Sequence, residues 1–364
     1  HTDLVRRKFL DNHLYGLTYA VNYQQGRLKA TLGGAYSYYD GDHFGDVQWS
    51  QYGGAFTKDY RWYDNAGRKT DGNVYAKLNY DLTPTLSAYA DAQYRYIHYQ
   101  MEGIDDDLLP LDQQHTYNFF NPKAGLFYKP ATNQDLYASV AVAHREPTRT
   151  NYKDAKGDPA ATPQQEKLVD YELGYEGRSM QSAFSVNLFY MDYTDQLVPT
   201  GEKNNVGSDI MTNVPTSYRR GIELIAGVRP AGWLDWNGNL TLSQNRIKNF
   251  VSYADHYTVS ETVFAYDGHL PTELGETHIA YSPEITGSSQ LAFKLDDAWK
   301  LQWISRYVGQ QYFDNTSNEA RKLDAYFVND LMASYRFSAW QFEQIQLRLA
   351  VNNLFDAQYE SNAY

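Results

Sequence analysis

Tyr15-Gly16-Leu17-Thr18-Tyr19-Ala20-Val21-Asn22-Tyr23 alternates without a break between large apolar residues and small or polar ones. Side chains on a strand point to opposite faces in turn. Tyr15, Leu17, Tyr19, Val21 and Tyr23 therefore share one face, and Gly16, Thr18, Ala20 and Asn22 the other. The same period recurs in 182–190, where Phe184, Val186, Leu188 and Tyr190 oppose Ser185 and Asn187. It recurs again in 345–352, where Ile345, Leu347, Leu349 and Val351 oppose Gln346, Arg348, Ala350 and Asn352. Alternation sustained over about ten residues reads as a strand with one apolar and one polar face.

Applied along the whole chain, this reading predicts about fourteen strands, at 14–23, 28–38, 73–80, 86–97, 120–128, 135–144, 167–176, 182–193, 218–229, 234–247, 286–295, 299–308, 325–336 and 344–353. Helical periodicity appears nowhere for long. The connections alternate in length. Short ones fall at 24–27, 82–85, 130–134, 177–181, 230–232, 296–297 and 338–343, and long polar ones at 39–72, 98–119, 145–166, 194–217, 248–285 and 309–324. Short turns at one end and long loops at the other are the rhythm of an outer-membrane barrel. The expected class is all-β, a transmembrane antiparallel β-barrel. Trp233, Trp299 and Trp340 fall beside short turns, where a periplasmic aromatic girdle would lie; core tryptophans of a soluble sheet are the alternative.

Composition supports strands at a wet–apolar boundary: the chain holds 34 Tyr, 16 Phe and 7 Trp against 5 Met and no Cys. Without cysteine there are no disulfides, thiolate metal sites or cysteine nucleophiles. A formal charge of −12 argues against a nucleic-acid partner. No run approaches the ~18 apolar residues of a spanning helix, but a barrel exposes only every second residue to lipid and keeps a low mean hydropathy. The first residues, His1 to Lys8, lack a signal-peptide core. Both ends of the chain fall on the long-loop side, whereas bacterial barrels keep both termini periplasmic. The expectation is one partial barrel domain over 1–364.

Four segments carry a family resemblance. Val351-Asn352-Asn353-Leu354-Phe355-Asp356-Ala357-Gln358-Tyr359-Glu360 resembles the NNLFD–x–x–Y segment near the end of TonB-dependent outer-membrane receptors. Val169-Asp170-Tyr171-Glu172-Leu173-Gly174-Tyr175 resembles the family's YELG strand. Phe189-Tyr190-Met191-Asp192-Tyr193-Thr194-Asp195-Gln196-Leu197 resembles its YxxxYxDQI strand, and Arg220-Gly221-Ile222-Glu223-Leu224 with Trp233-Leu234 its GxELE…PxxWL. Each is weak alone; together, in order, they are strong. The resemblance implies a barrel of about twenty-two strands with an N-terminal plug and a TonB-binding segment, neither visible here, and with about seven early strands and the last strand missing. It implies an active-transport receptor in the outer membrane, with outer-membrane lipid, the TonB complex and a small-molecule ligand such as a ferric siderophore as partners. Cobalamin, haem or glycan are alternative ligands, and a surface lipoprotein is a further candidate partner. Rival readings are a passive porin or adhesin barrel and a soluble carbohydrate-binding module.

Catalytic signatures are missing: no His-Glu-x-x-His, no Gly-x-Ser-x-Gly and no phosphate-cradling loop occurs. The expectation is a non-enzyme with no cofactor. His144-Arg145-Glu146-Pro147-Thr148-Arg149 sits where the family's FRAP-like segment lies. In haem receptors a histidine follows it, but 151–167 holds none. Arg145 and Arg149 are candidates to attract an anionic ligand, or to pair with nearby carboxylates. Asp40, Asp42 and Asp46, and the run Asp105-Asp106-Asp107, are weak calcium candidates without an EF-hand pattern; solvated acidic loops are the alternative. The aromatics Trp49, Tyr52, Phe56, Tyr60, Trp62 and Tyr63 either line a ligand vestibule or pack the loops over the barrel mouth. Among these, Tyr60, Trp62, Tyr63, His144, Arg145 and Arg149 are the ligand-binding candidates.

Overall fold

A computed structural model describes residues 3–52, 59–155, 162–203, 207–259 and 264–363. Each of the fourteen expected strands is present: β1 (Leu4–Gln25), β2 (Leu28–Ser50), β3 (Tyr60–Asp81), β4 (Leu86–Ile104), β5 (Gln113–Ala131), β6 (Gln134–Arg145), β7 (Glu166–Arg178), β8 (Ser182–Lys203), β9 (Asp209–Ala231), β10 (Leu234–Val259), β12 (Ile285–Lys294), β13 (Trp299–Val308), β16 (Tyr326–Ala339) and β17 (Phe342–Val351). Between them lie β11 (Phe264–His278), the short pair β14 (Gln311–Tyr312) and β15 (Lys322–Leu323), and one six-residue helix, α1 (Arg149–Asp154). The large sheet runs in chain order, with β11 as a side branch on β10. By its contacts the chain forms two compact units, His1–Gly125 with Ala141–Gln165, and Leu126–Val140 with Glu166–Tyr364. No helix among the described residues is long and apolar enough to cross a membrane.

In the first unit, pairing registers settle which residues share a face. Leu17 opposes Tyr36, Tyr36 opposes Gly72, and Gly72 opposes Tyr96. Leu17, Val21, Leu32, Val74, Leu78 and Tyr94 are correspondingly exposed on the apolar face. The opposite face carries Tyr39, Asn65, Lys69, Asp71, Arg95 and Tyr99. A slip of one residue would exchange the two sets, so the period itself pins the register.

The second unit repeats the pattern, and its motif glycines acquire a reason. Leu173 opposes Leu188 and Leu188 opposes Ile222, which puts them on the apolar face. On the polar face, Gly174 lies under the ring of Tyr137: a Cβ there would sit 2.1 Å from ring carbons. Gly221 lies under Phe189, a Cβ meeting the ring at 2.9 Å and the Leu242 carbonyl at 2.3 Å. An aromatic from a nearby strand thus covers each glycine, as occurs where sheets are kinked or tightly curved. The Tyr137 hydroxyl, held over Gly174, donates to Asn187 Oδ1 at 3.1 Å.

The long polar segments are not loops throughout, which corrects the strand ends read from alternation. The β2–β3 ladder runs from Leu28 opposite Tyr80 to Val47 opposite Tyr60, and β1 pairs with β2 up to Leu4 opposite Ser50. β10 pairs with β12 along its first half and with β11 from Arg246 opposite His278 outward. Ladder hydrogen bonds need no apolar face, so strands continue where alternation stops. Buried Val198, Val214, Ile247 and Ile279 form a small core within these extensions.

The NNLFD segment is a turn lock. Asn353 adopts φ +50°, a conformation asparagine tolerates better than most residues. Its side chain exchanges two hydrogen bonds with the Ala357 backbone, at 2.9 and 3.0 Å. Its N–H donates to Asp330 Oδ1 at 2.8 Å, while Phe355 packs on Trp303 and Tyr359 on Tyr326.

Gly174→Ala should force the Tyr137 ring aside and destabilise the folded protein by about 1–3 kcal/mol. Combining it with Tyr137→Ala should cost less than the sum of the two single changes, because the clash is then gone. Heat-dependent mobility of the folded and unfolded forms on a denaturing gel reads this; strict additivity would refute the ring-over-glycine account.

Candidate functional site

The segment after β6 turns onto the polar face of the first unit. Thr148 caps α1: its Oγ1 accepts from Asn151 N, and its own N–H donates to Asn151 Oδ1 at 2.8 Å. Six residues cannot sustain a helix alone, so packing must hold it. Tyr152, only 2% exposed, fills a core with Tyr99, Met101 and Leu111. The His115 ring stacks on it at 3.8 Å, and the Tyr117 and Tyr152 hydroxyls are hydrogen-bonded.

Ion pairs clamp both ends of this segment. Glu146 meets Lys69 at 2.6 Å and Arg95 at 3.2 Å, and Arg95 in turn forks onto both oxygens of Asp71. At the far end Lys153 pairs with Asp106 and lies 3.6 Å from Asp105, while Lys8 reaches Asp106 at 2.5 Å. Burial alone would raise the Asp106 carboxyl; the two ammonium groups outweigh it and bring Asp106 down to about 2.

Arg149 stands apart from these pairs. Its Nη2 donates to Asn65 Oδ1 at 2.5 Å, and Asn65 is 4% exposed. Its Nε–H is buried and has no hydrogen-bond partner among the described residues. Gly67 lies alongside, where a Cβ would be 3.6 Å from the Tyr99 hydroxyl and 3.8 Å from Arg149 Nε. The His43 imidazole is held below its ordinary value, by burial and then by the Arg149 charge.

The candidates read from sequence fare unequally. His144 Nδ1 is 2.8 Å from Asn121 Oδ1, with its ring stacked on Phe119 at 5.3 Å. Arg145 is exposed at the end of β6. Trp62 packs over Gly45 and against Tyr63 at 4.9 Å, below the Arg6 guanidinium at 5.0 Å, with its Nε1–H buried and unpartnered. Tyr63 is buried, whereas Tyr60, Trp49 and Tyr52 are exposed. Phe56 lies outside the described residues. The aromatic segment therefore divides between packing and exposed surface.

Asp40, Asp42 and Asp46 all fall within β2 rather than in a loop, and Asp40 meets Arg68 at 3.2 Å while Asp46 lies between Arg7 and Arg61. Asp105, Asp106 and Asp107 do converge, with ligand atoms within 4.8 Å of one another. Asp105 Oδ1, however, accepts from the Asp107 and Leu109 amides as a turn cap, and the nearby cationic groups are lysines. Of the girdle candidates, Trp233 stacks on Phe293, Trp299 stacks on Tyr335, and Trp340 stands 99% exposed in the β16–β17 turn.

Sequence reading missed Tyr152, Lys153, Asn65 and the Glu146–Lys69–Arg95–Asp71 network. Only the helix had a local signal, the Pro147-Thr148 entry followed by Asn151 at a capping-box position. On the polar face of the second unit a recess of about 520 Å³ opens among Glu176, Ser185, Asn237, Asn239, Ser288 and Gln290.

Asp106 has a folded value below its ordinary 3.8, so its contribution is complete above that value and is lost as pH falls towards about 2. Protection factors of the Tyr152 and Ala155 amides should drop through that window, and Asp106→Asn should lower them already at neutral pH. Hydrogen exchange in the variant equal to that of the unaltered protein would refute the clamp.

The family model described as TonB dependent receptor-like, beta-barrel matches residues 3–354. Among solved structures, the chain is similar to the siderophore receptor PiuA of Acinetobacter baumannii, at 15% identity and TM-score 0.74, over 98% of this chain and 54% of that one. The copper transporter OprC matches at 14% identity and TM-score 0.73, over 98% and 53%. The ferric-catecholate import receptor Fiu of E. coli K12, in its closed form, matches at 16% identity and TM-score 0.69, over 98% and 52%. At such identities the likeness shows the fold, and this chain spans about half the length of each.

Proposed function

This chain belongs to the TonB-dependent receptor β-barrel family, and from that premise we propose that it forms the wall of an outer-membrane active-transport receptor for a ferric siderophore or similar iron complex. One observation carries the membrane part of this reading: each unit exposes large apolar side chains along one face of its sheet. Leu17, Leu32, Val74 and Tyr94 form it in the first unit, and Leu173, Leu188, Leu240 and Leu349 in the second. Contiguous exposed apolar surface of this kind belongs against lipid. Trp233, Trp299 and Trp340 at the short-turn end would then form the periplasmic aromatic girdle.

The opposite face is polar and holds the clamped segment with Arg149, suited to an oxygen-rich anionic ligand. The siderophore and ferric-catecholate receptors among the similar structures support iron as the cargo, though a copper transporter shares the fold. Energy would come from the TonB complex, and the reading assigns no catalytic step to these residues.

Leu188→Arg should destabilise the barrel in lipid by about 2–4 kcal/mol if this position lies near mid-membrane, whereas Leu188→Phe should be nearly silent. Equal stability of the two in vesicle unfolding would remove the apolar face from the bilayer.

Iron-starved cells should take up ferric chelates only when they carry the intact receptor and an energised membrane. Uptake that survives deletion of the gene would sink the transport role, and entry insensitive to an uncoupler would instead mark a passive pore.

A further inference from the structure

Resting on the reading of this chain as a receptor for an iron complex, we infer that Arg149 is the ligand-recognising charge of that site, and that the ligand it takes bears a carboxylate.

The inference starts from what surrounds the guanidinium. Lys8, Lys69, Arg95 and Lys153 are each held by carboxylates. Arg149 is not: its hydrogen-bond partner among the described residues is the neutral amide oxygen of Asn65. Around it stand Tyr39, His43, Tyr63 and Tyr99, on which its charge acts. Asp40, Asp42 and Asp106 act on the first three as well, but among the described residues no ion pair joins any of them to Arg149.

A partly buried guanidinium with no carboxylate partner among the described residues is costly unless something outside the chain supplies the opposite charge. The geometry favours a planar two-oxygen group. A guanidinium presents parallel N–H bonds that match a carboxylate in a fork, which a point charge does not. Asn65 fixes the fork from below by holding Nη2, and Asn65 is itself held, its Nδ2 donating to the Ile104 carbonyl at 3.0 Å. Gly67 packs close beside the guanidinium, where a Cβ would sit 3.6 Å from the Tyr99 hydroxyl and 3.8 Å from Nε. Tyr152 and the capping box place the arginine by holding α1 against the sheet. The site thus has a positioned donor, a buried positioning amide and an adjoining hydroxyl.

The test uses the full-length receptor in detergent with three probes: ferric citrate, metal-free citrate and a neutral ferric trihydroxamate. Arg149→Gln should weaken ferric citrate about tenfold or more, the loss of one charge-assisted fork. Arg149→Lys should restore part of it, charge without the fork, and the neutral chelate should bind all three proteins alike. Arg27→Gln, which removes an exposed arginine at the β1–β2 turn and leaves α1 untouched, should stay within about twofold of the unaltered receptor. Arg149→Gln binding citrate normally, or Arg27→Gln losing it equally, overturns the inference. So does an unaltered receptor that binds the neutral chelate and neither citrate form; the transport reading survives all three. Citrate binding lost in Arg149→Gln while no ferric chelate binds would keep the carboxylate subsite and reject iron as cargo. Binding of none of the probes overturns both.

Discussion

A peptide group in a sheet is satisfied only when its N–H and C=O find partners in a neighbouring strand. The rest of this structure depends on that constraint. It explains why consecutive strands pair as a meander and why one residue of slip is forbidden across the apolar face. It also explains close packing on the other face. Where two strands come near, the sheet removes a Cβ and lays an aromatic ring over the gap, as Tyr137 does at Gly174 and Phe189 at Gly221.

Beyond the apolar band the same ladders continue under different rules. β2 and β3 pair residue by residue up to Val47 and Tyr60, yet neither face there must be apolar. Stability has to come from small local cores and from ion pairs. Tyr99, Met101, Leu111 and Tyr152 make one such core, and Val198, Val214, Ile247 and Ile279 another. The segment after β6 is fastened through Glu146 at one end and Lys153 at the other.

The strands were legible because alternation is a local signal, repeated wherever one face is apolar and the other polar. Their outer halves were not, since the alternation ends at the apolar band while the hydrogen bonding does not. β11 escaped for that reason, and it falls where β10 changes partner from β12. The site was half legible. His144, Arg145 and Arg149 stood out as charges beside a strand end, but Asn65 lies 84 residues from Arg149 in sequence and carries no mark of its own. Asp40, Asp42 and Asp46 misled in the other direction. Their spacing suggested a loop of oxygen ligands, whereas an extended strand spreads them out and Arg68, Arg7 and Arg61 lie beside two of them.

By itself the sequence determined the two faces, the number and order of the main strands, the short turns and the family, because each is written in residues close together along the chain. Tertiary structure alone decided which side chains meet. Arg149 faces Asn65 rather than a carboxylate, and Asp106 faces two lysines, because strand register and the fold-back of α1 bring distant segments together. No local pattern encodes such a meeting: it follows from the summed geometry of strands and turns between the partners.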